Sequence, residues 1–189
     1  YPLAADITLD EFHRVDLNEA ELPDGTGFDY FIMLDVIEHL YSPEDFMERL
    51  KKATRFNPDL RIIVSTGNIA FIIQRVMLLL GQFNYGTRGI LDKTHTRLFT
   101  YASMKHLFSQ AGFDVVEEEG VPAPFPLAVG NGTIASVLLN VNNALIRISR
   151  TLFAYQIYMV VKPRPSLEHL LRSAIDVSKQ KIAKSAAVH

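Results

Sequence analysis

Cysteine is absent from the 189 residues, which excludes disulfides and thiolate metal sites and leaves the redox compartment open. An excess of either charge is also missing. A formal net charge of -2 offers no basic face for nucleic acid, which is therefore not expected as a partner. No apolar run reaches the ~20 residues that a membrane span requires. The longest, Ile69 to Leu80, is interrupted by Gln74 and Arg75. The segment Tyr1-Pro2-Leu3-Ala4-Ala5-Asp6 lacks the basic start and apolar centre of a signal peptide, so a soluble cytoplasmic protein is the expectation. There is no internal repeat and no low-complexity tract. What remains, 48% hydrophobic and 21% charged, is the composition of a globular domain large enough for a proper core.

The stretch from Phe28 to Leu40 carries the most information. Tyr30 to Leu34 has the length and continuous apolarity of a strand buried on both faces, as in a parallel sheet. Asp35, Glu38 and His39 follow it, where open parallel sheets bind their ligands. Upstream, Phe12 to Leu17 reads as a short strand ending in an acid, Asp16, and the acidic, glycine-punctuated Asn18 to Gly27 as a loop. Downstream, Ser42-Pro43-Glu44-Asp45 opens a helix with a hydroxyl cap, a first-turn proline and carboxylates at the positive dipole end. Phe46, Met47, Leu50 and Ala53 form its apolar stripe, and Asn57-Pro58 stops it.

Leu60 to Ser65 is β-branched and short, hence a strand, and Asn68 to Leu80 is expected to be helical with Gly81 as its C-cap. Thr100 caps a helix from Tyr101 to Ala111, and Phe113 to Glu117 is a strand. After the stiff connection Pro122 to Pro126 come a helix from Thr133 to Arg150 and a final strand from Ala154 to Lys162. Strands alternating with helices mean an α/β architecture with a largely parallel sheet. Residues 1–163 form the domain, and 164–189 a tail helix with a stripe of Leu167, Leu170, Leu171, Ala174 and Ile175. That stripe and the lysines after it could touch an anionic membrane or a partner helix, or simply be solvated.

In order, these pieces resemble the C-terminal two-thirds of a class I S-adenosylmethionine-dependent methyltransferase, most closely the ubiquinone-biosynthesis-like small-molecule branch. The residues that carry the resemblance are Val15-Asp16-Leu17, the run from Phe28-Asp29 through Leu34-Asp35-Val36-Ile37-Glu38-His39-Leu40 to Ser42-Pro43, the run from Gly89 to Thr100, and the closing strand into Lys162-Pro163. The resemblance implies a Rossmann-like sheet, S-adenosylmethionine as cofactor, and O-methylation of a small-molecule or lipid- or sugar-linked acceptor. It matches Asp16 and Leu17 to the adenine site, Leu34 and Asp35 to the methionine portion of the cofactor, and Glu38 and His39 to the corner facing the reaction centre. In some relatives such an acid and histidine serve a metal or the substrate. Two residues do not make a metal site, so none is assigned.

Asp92, His95 and Arg97 lie together in an irregular loop, where functional side chains are most often displayed. An acceptor hydroxyl must lose its proton as it attacks, and histidine, with an unperturbed pKa near ~6.5, suits that task. His95 is thus the expected base; the alternative is that Asp92 and Arg97 pair to fix the loop while His95 caps the helix. The apolar stretch Ile69 to Leu80 with Phe83 and Tyr85 could form a lid or pack into the core. His13, His106, His169 and His189 receive no role.

The glycine-rich turn that grips the cofactor after the first strand of such folds is missing, as are the first two strands. Tyr30 to Leu34 is then expected to have an open edge, which invites pairing with another chain. Three explanations stand: a fragment of a longer protein, a sheet completed by a partner such as a second copy, or a family member that has lost its cofactor. The last makes the chain a non-catalytic interaction module.

Overall fold

A computed structural model describes residues 9–186. The N-terminal hexapeptide, Ala187 and His189 lie outside the described residues. The sheet begins with β1 (Tyr30–Leu34) and β2 (Arg61–Gly67), which pair in parallel from Tyr30 opposite Arg61 to Leu34 opposite Ser65. Helix α1 (Pro43–Thr54) makes the crossover between them. The Ser42 hydroxyl accepts from the Asp45 amide at 3.3 Å, Pro43 fills the first helical position, and Glu44 and Asp45 occupy the first turn, as the sequence led one to expect. Phe46, Met47 and Leu50 are buried beneath it.

Helix α2 (Ile72–Leu79) follows β2, and α3 (Tyr101–Gln110) precedes β3 (Phe113–Val121). The start of α3 is a reciprocal cap: the Thr100 hydroxyl accepts from the Ser103 amide and the Ser103 hydroxyl accepts from the Thr100 amide. Then come α4 (Phe125–Val129), α5 (Thr133–Ile148), α6 (Arg150–Phe153), β4 (Gln156–Pro163) and α7 (Leu167–Ala186). The strand order is β1-β2-β4-β3, with β4 antiparallel to both β2 and β3. Hence β1, β2 and β3 point the same way and β4 alone is reversed, consistent with an α/β, mostly parallel Rossmann-like sheet. Met33, Ile62, Val64, Ile157, Met159 and Val161 join Phe46, Leu50, Met104, Phe108 and Phe113 in one core cluster.

Four local expectations change. Phe12 to Leu17 is irregular and ends in a turn, with Phe12 75% exposed; no described strand lies beside it to take its backbone hydrogen bonds. β1 is buried on one face only. Met33 enters the core, whereas Tyr30 (61%), Ile32 (61%) and Leu34 (54%) stay exposed, because nothing described packs on their side. The helix expected from Asn68 starts at Ile72 instead. Asn68 and Ile69 are taken by tertiary pairing: Asn68 bridges to Phe99, its side-chain amide donates to the carbonyls of Thr151 and Ala154, and the Ile69 backbone amide donates to the Phe99 carbonyl. The helix over 133–150 breaks at extended Ser149, after which Arg150 reaches the Glu118 carbonyl at 2.7 Å and ties α6 to β3.

No residue of α2 is buried, and Phe83 and Tyr85 are exposed too, whereas Ala70 and Phe71 just before the helix are buried. β1 does have its expected open edge, since among the described strands it pairs with β2 alone. The Leu167, Leu170, Leu171 and Ile175 stripe of α7 is exposed. No helix among the described residues is long and apolar enough to cross a membrane.

Candidate active site

Because β4 is reversed, its first residues stand at the carboxyl ends of β1 and β2: Gln156 pairs with Gly67 and Ile157 with Thr66. Three connections converge there. They are the turn after β1 (Ile37–His39), the loop from Gly86 to Arg97, and the approach to β4. Together they line a cleft of about 260 Å³ whose walls include Asp35, Glu38, His39, Asp92, His95, Tyr155 and Gln156. This is the position in which open parallel sheets bind ligands.

Asp35 closes β1 in a left-handed conformation, φ 52°, uncommon for a residue with a side chain. Its backbone amide donates to the Ser65 carbonyl at 3.1 Å, while its carboxylate accepts from Gln156 Nε2 at 3.0 and 3.1 Å and from the Ser65 hydroxyl at 3.3 Å. The chain then turns sharply enough to bring Glu38 and His39 back over the strand ends. The loop carrying His95 is zipped onto this turn. The Thr96 and Arg97 amides donate to the Glu38 carbonyl at 2.8 and 3.1 Å, and the Thr96 hydroxyl reaches the Leu40 carbonyl at 2.6 Å. Within the loop, Asp92 accepts from the Thr94 amide and hydroxyl at 2.8 and 2.7 Å, which hold its carboxyl below the usual range.

The two histidines face each other edge to face, with ring centroids 4.8 Å apart. His39 Nδ1 lies 3.2 Å from the Thr94 carbonyl and His95 Nδ1 lies 3.0 Å from the Ile90 carbonyl. A carbonyl can only accept, so each Nδ1 carries the hydrogen and each Nε2 keeps the available lone pair. Beneath them Glu38 is only 2% exposed. Burial raises its carboxyl above the ordinary value, with Asp35 adding to the rise and the Thr66 hydroxyl opposing it.

Asp35, Glu38, His39, Asp92 and His95, separated by up to 60 positions, are thus brought to one cleft. Other expected site residues lie outside its lining. Arg97 donates to both carboxylate oxygens of Glu44 at 2.8 Å, fastening the loop to α1 and not to Asp92. Leu34 is exposed on the outer face of β1. Asp16 accepts from the amide and side chain of Asn18, which lower its carboxyl, and Asn18 in turn accepts from the Tyr41 amide at 2.8 Å. Leu17 packs against the core, and its carbonyl accepts from Arg49 at 2.6 Å.

Sequence reasoning missed Tyr155, Gln156, Gly67 and Gly89. Only the reversed direction of β4 places its first residues here, and no local pattern signals that reversal. Gly89 does have a physical signature. Its φ is +91°, and a Cβ there would stand 3.0 Å from the Tyr155 hydroxyl. Gly89→Ala is therefore expected to destabilise the domain by about 1–2 kcal/mol through backbone strain alone. Urea unfolding measures the change, and an unaltered midpoint would contradict it.

A family model described as a methyltransferase domain matches residues 4–118, more than half of the chain. The chain belongs to this methyltransferase-domain family. No curated protein matches it. Among solved structures it is similar to small RNA methyltransferase HEN1, at 20% identity over 80% of this chain and 16% of that one, with a TM-score of 0.46. A complex of the Haloferax volcanii Trm112 methyltransferase activator with a putative methyltransferase matches at 12% identity over 86% of this chain and 66% of that one, TM-score 0.51. A SAM dependent methyltransferase from Archaeoglobus fulgidus matches at 18% identity over 76% of this chain and 62% of that one, TM-score 0.44. The chain thus spans 16 to 66% of the length of these three proteins. At such identities the likeness concerns the fold.

For a member of this methyltransferase-domain family the sequence resemblance implies S-adenosylmethionine as the cofactor. The cleft fits the cationic end of that molecule, because Asp35, Glu38 and Asp92 supply three carboxyl groups to its walls. Its volume of about 260 Å³ lies just under the ~300–1,000 Å³ of pockets that enclose a whole ligand, which suits one end of the cofactor.

Proposed function

We propose that this domain serves S-adenosylmethionine-dependent methyl transfer to an oxygen of a small-molecule or lipid- or sugar-linked acceptor. One observation supports this above all: two imidazoles with free Nε2 lone pairs meet a group of carboxyls in one cleft at the strand ends. When bound, the cofactor supplies an electrophilic methyl group on a sulfonium, so direct in-line transfer needs no covalent enzyme intermediate.

The chain's own residues then have two tasks, orienting the acceptor and receiving its proton. His95 takes the proton at Nε2 as general base, and His39 beside it shapes the same corner of the cleft. Asp92, kept ionised by Thr94, favours the imidazolium that results. Asp35 and Glu38 face the cofactor's methionine end with Leu34 at the strand end, and the Asp16-Leu17 turn serves the adenine end. Arg97 acts from outside the cleft by locking the His95 loop to Glu44. Exposed α2 with Phe83 and Tyr85 offers an apolar approach for a lipid-linked acceptor.

The open edge and exposed Tyr30-Ile32-Leu34 face of β1 favour a second reading, a non-catalytic module that pairs with another chain, such as its own copy. One experiment separates the two. Calorimetric titration with S-adenosylhomocysteine, joined to sedimentation of the same sample, is expected to give saturable binding. A tight dimer that releases no heat would replace the enzymatic reading with the second.

A further inference from the structure

Adjacent antiparallel strands need only a short turn between them, yet α4, α5 and α6 fill the connection from β3 to β4. The family model ends at residue 118, so this excursion lies outside what family membership accounts for. Helix α5 presents a docked side, a polar side and an apolar side. On the docked side Ala135 and Asn142 are buried, and the Asn142 side chain accepts from the Ala123 amide and donates to the Phe153 carbonyl, both at 2.9 Å. Those two bonds fix the roll of the helix. The polar side, with Ser136, Asn140, Asn143 and Arg147, is exposed. So is the apolar side. Ile134, Val137, Val141, Ala144 and Ile148 recur at alternating spacings of three and four, which makes one stripe along the helix. Leu127 and Val129 of adjoining α4 are exposed as well. Contiguous apolar surface of this kind marks a site of association.

The charges nearby determine what kind of surface fits. From Gly120 to Leu167 the chain contains no Asp or Glu, although it has 21 of them in all. The same stretch carries Arg147, Arg150, Lys162 and Arg164. Arg150 turns to Glu118 at 3.1 Å, whereas Arg147 on the polar side of α5 pairs with no carboxylate among the described residues. A second copy would set this face against itself, with no carboxylate on α4, α5 or α6 to meet Arg147. An anionic bilayer supplies phosphates for the arginine and acyl chains for the stripe.

We propose that α4 and α5 seat this domain on an anionic lipid surface, with the stripe from Ile134 to Ile148 in the acyl boundary and Arg147 at the phosphates. Neither helix is long and apolar enough to cross the bilayer, so both lie in its plane. The excursion leaves the carboxyl end of β3 and returns to the amino end of β4, the end of the sheet that holds the cleft. Seating it on lipid keeps the cleft beside the surface. Lipid binding itself does not depend on the methyl-transfer reading.

The test is co-sedimentation of the full chain with equimolar phosphatidylcholine–phosphatidylglycerol vesicles and with pure phosphatidylcholine vesicles. Partition is expected to favour the anionic vesicles and to fall at least about 10-fold in V137D/V141D. R147E should lower it roughly 5-fold or more, and I175D on exposed α7 should leave it unchanged. Because the chain has no tryptophan, V141W adds a reporter whose emission should shift to the blue on the anionic vesicles. Thermal melting of each variant establishes that it is folded. No preference for the anionic vesicles, equal partition of folded V137D/V141D and parent, or loss in I175D instead, overturns the proposal. Velocity sedimentation without lipid covers the other occupant: a dimer that V137D/V141D abolishes gives this face to a second copy and overturns the proposal as well. No arm contains cofactor or acceptor, so this result and the cofactor titration can fail independently.

Discussion

His95→Asn is expected to slow methyl transfer by about 10²–10⁴-fold, the usual contribution of a positioned acid–base group. The side chain stands in the cleft with Nδ1 tied to the Ile90 carbonyl, and no other imidazole shares its loop. Asparagine can still donate to that carbonyl, so the loop should keep its fold while the Nε2 lone pair is lost. The effect should fall on turnover and not on cofactor affinity, because the loop is held independently by Thr96 on Leu40 and by Arg97 on Glu44. The measurement is the rate of S-adenosylhomocysteine formation at saturating cofactor, with the cofactor dissociation constant determined in parallel. A variant at full rate would remove His95 from the chemistry.

Phe108→Ala is expected to destabilise the domain by about 3–5 kcal/mol. Phe108 is wholly buried and meets Phe113 edge to face at 6.1 Å, joining α3 to the first residue of β3. Truncation leaves a cavity at the point where the helix locks the strand, and β3 in turn pairs along β4 from Phe113–Pro163 to Val121–Gln156. Domains of this size have about 5–15 kcal/mol in total, so the loss should consume a large part of it. Urea unfolding should show a lower midpoint at unchanged slope. A shift below 1 kcal/mol would mean that the aromatic pair is not the keystone it is taken for here.

The legible parts of the fold were those whose causes are local. Ser42-Pro43-Glu44-Asp45 makes a helix start by its own hydroxyl, ring and charges, and Thr100 with Ser103 does the same for α3. Gly81 and Gly112 stop their helices at φ 73° and 89°, which few other residues would accept. The illegible parts were those in which a distant segment competes for backbone groups. Asn68 belongs to a helical pattern in sequence, yet in the fold it serves Thr151, Ala154 and Phe99. Phe12 to Leu17 has strand-forming residues and no described strand beside it.

The site divides along the same line. Asp35, Glu38 and His39 could be found from the sequence because an apolar strand ending in polar residues marks a ligand edge wherever the sheet is parallel. His95 could be found because three chemically able side chains crowd an irregular loop.

What the sequence by itself determined is therefore the set of helix caps, the apolar stripes, and the polar strand end with its methyltransferase resemblance, since each depends on neighbours a few positions apart. Only the tertiary structure decided that Arg97 leaves the site for Glu44, that Gln156 enters it through the reversed β4, and that Glu38 keeps an unpaired oxygen under two imidazoles. Those outcomes depend on which strand lies next to which and on what water cannot reach, and both are set by packing between residues as many as 121 positions apart.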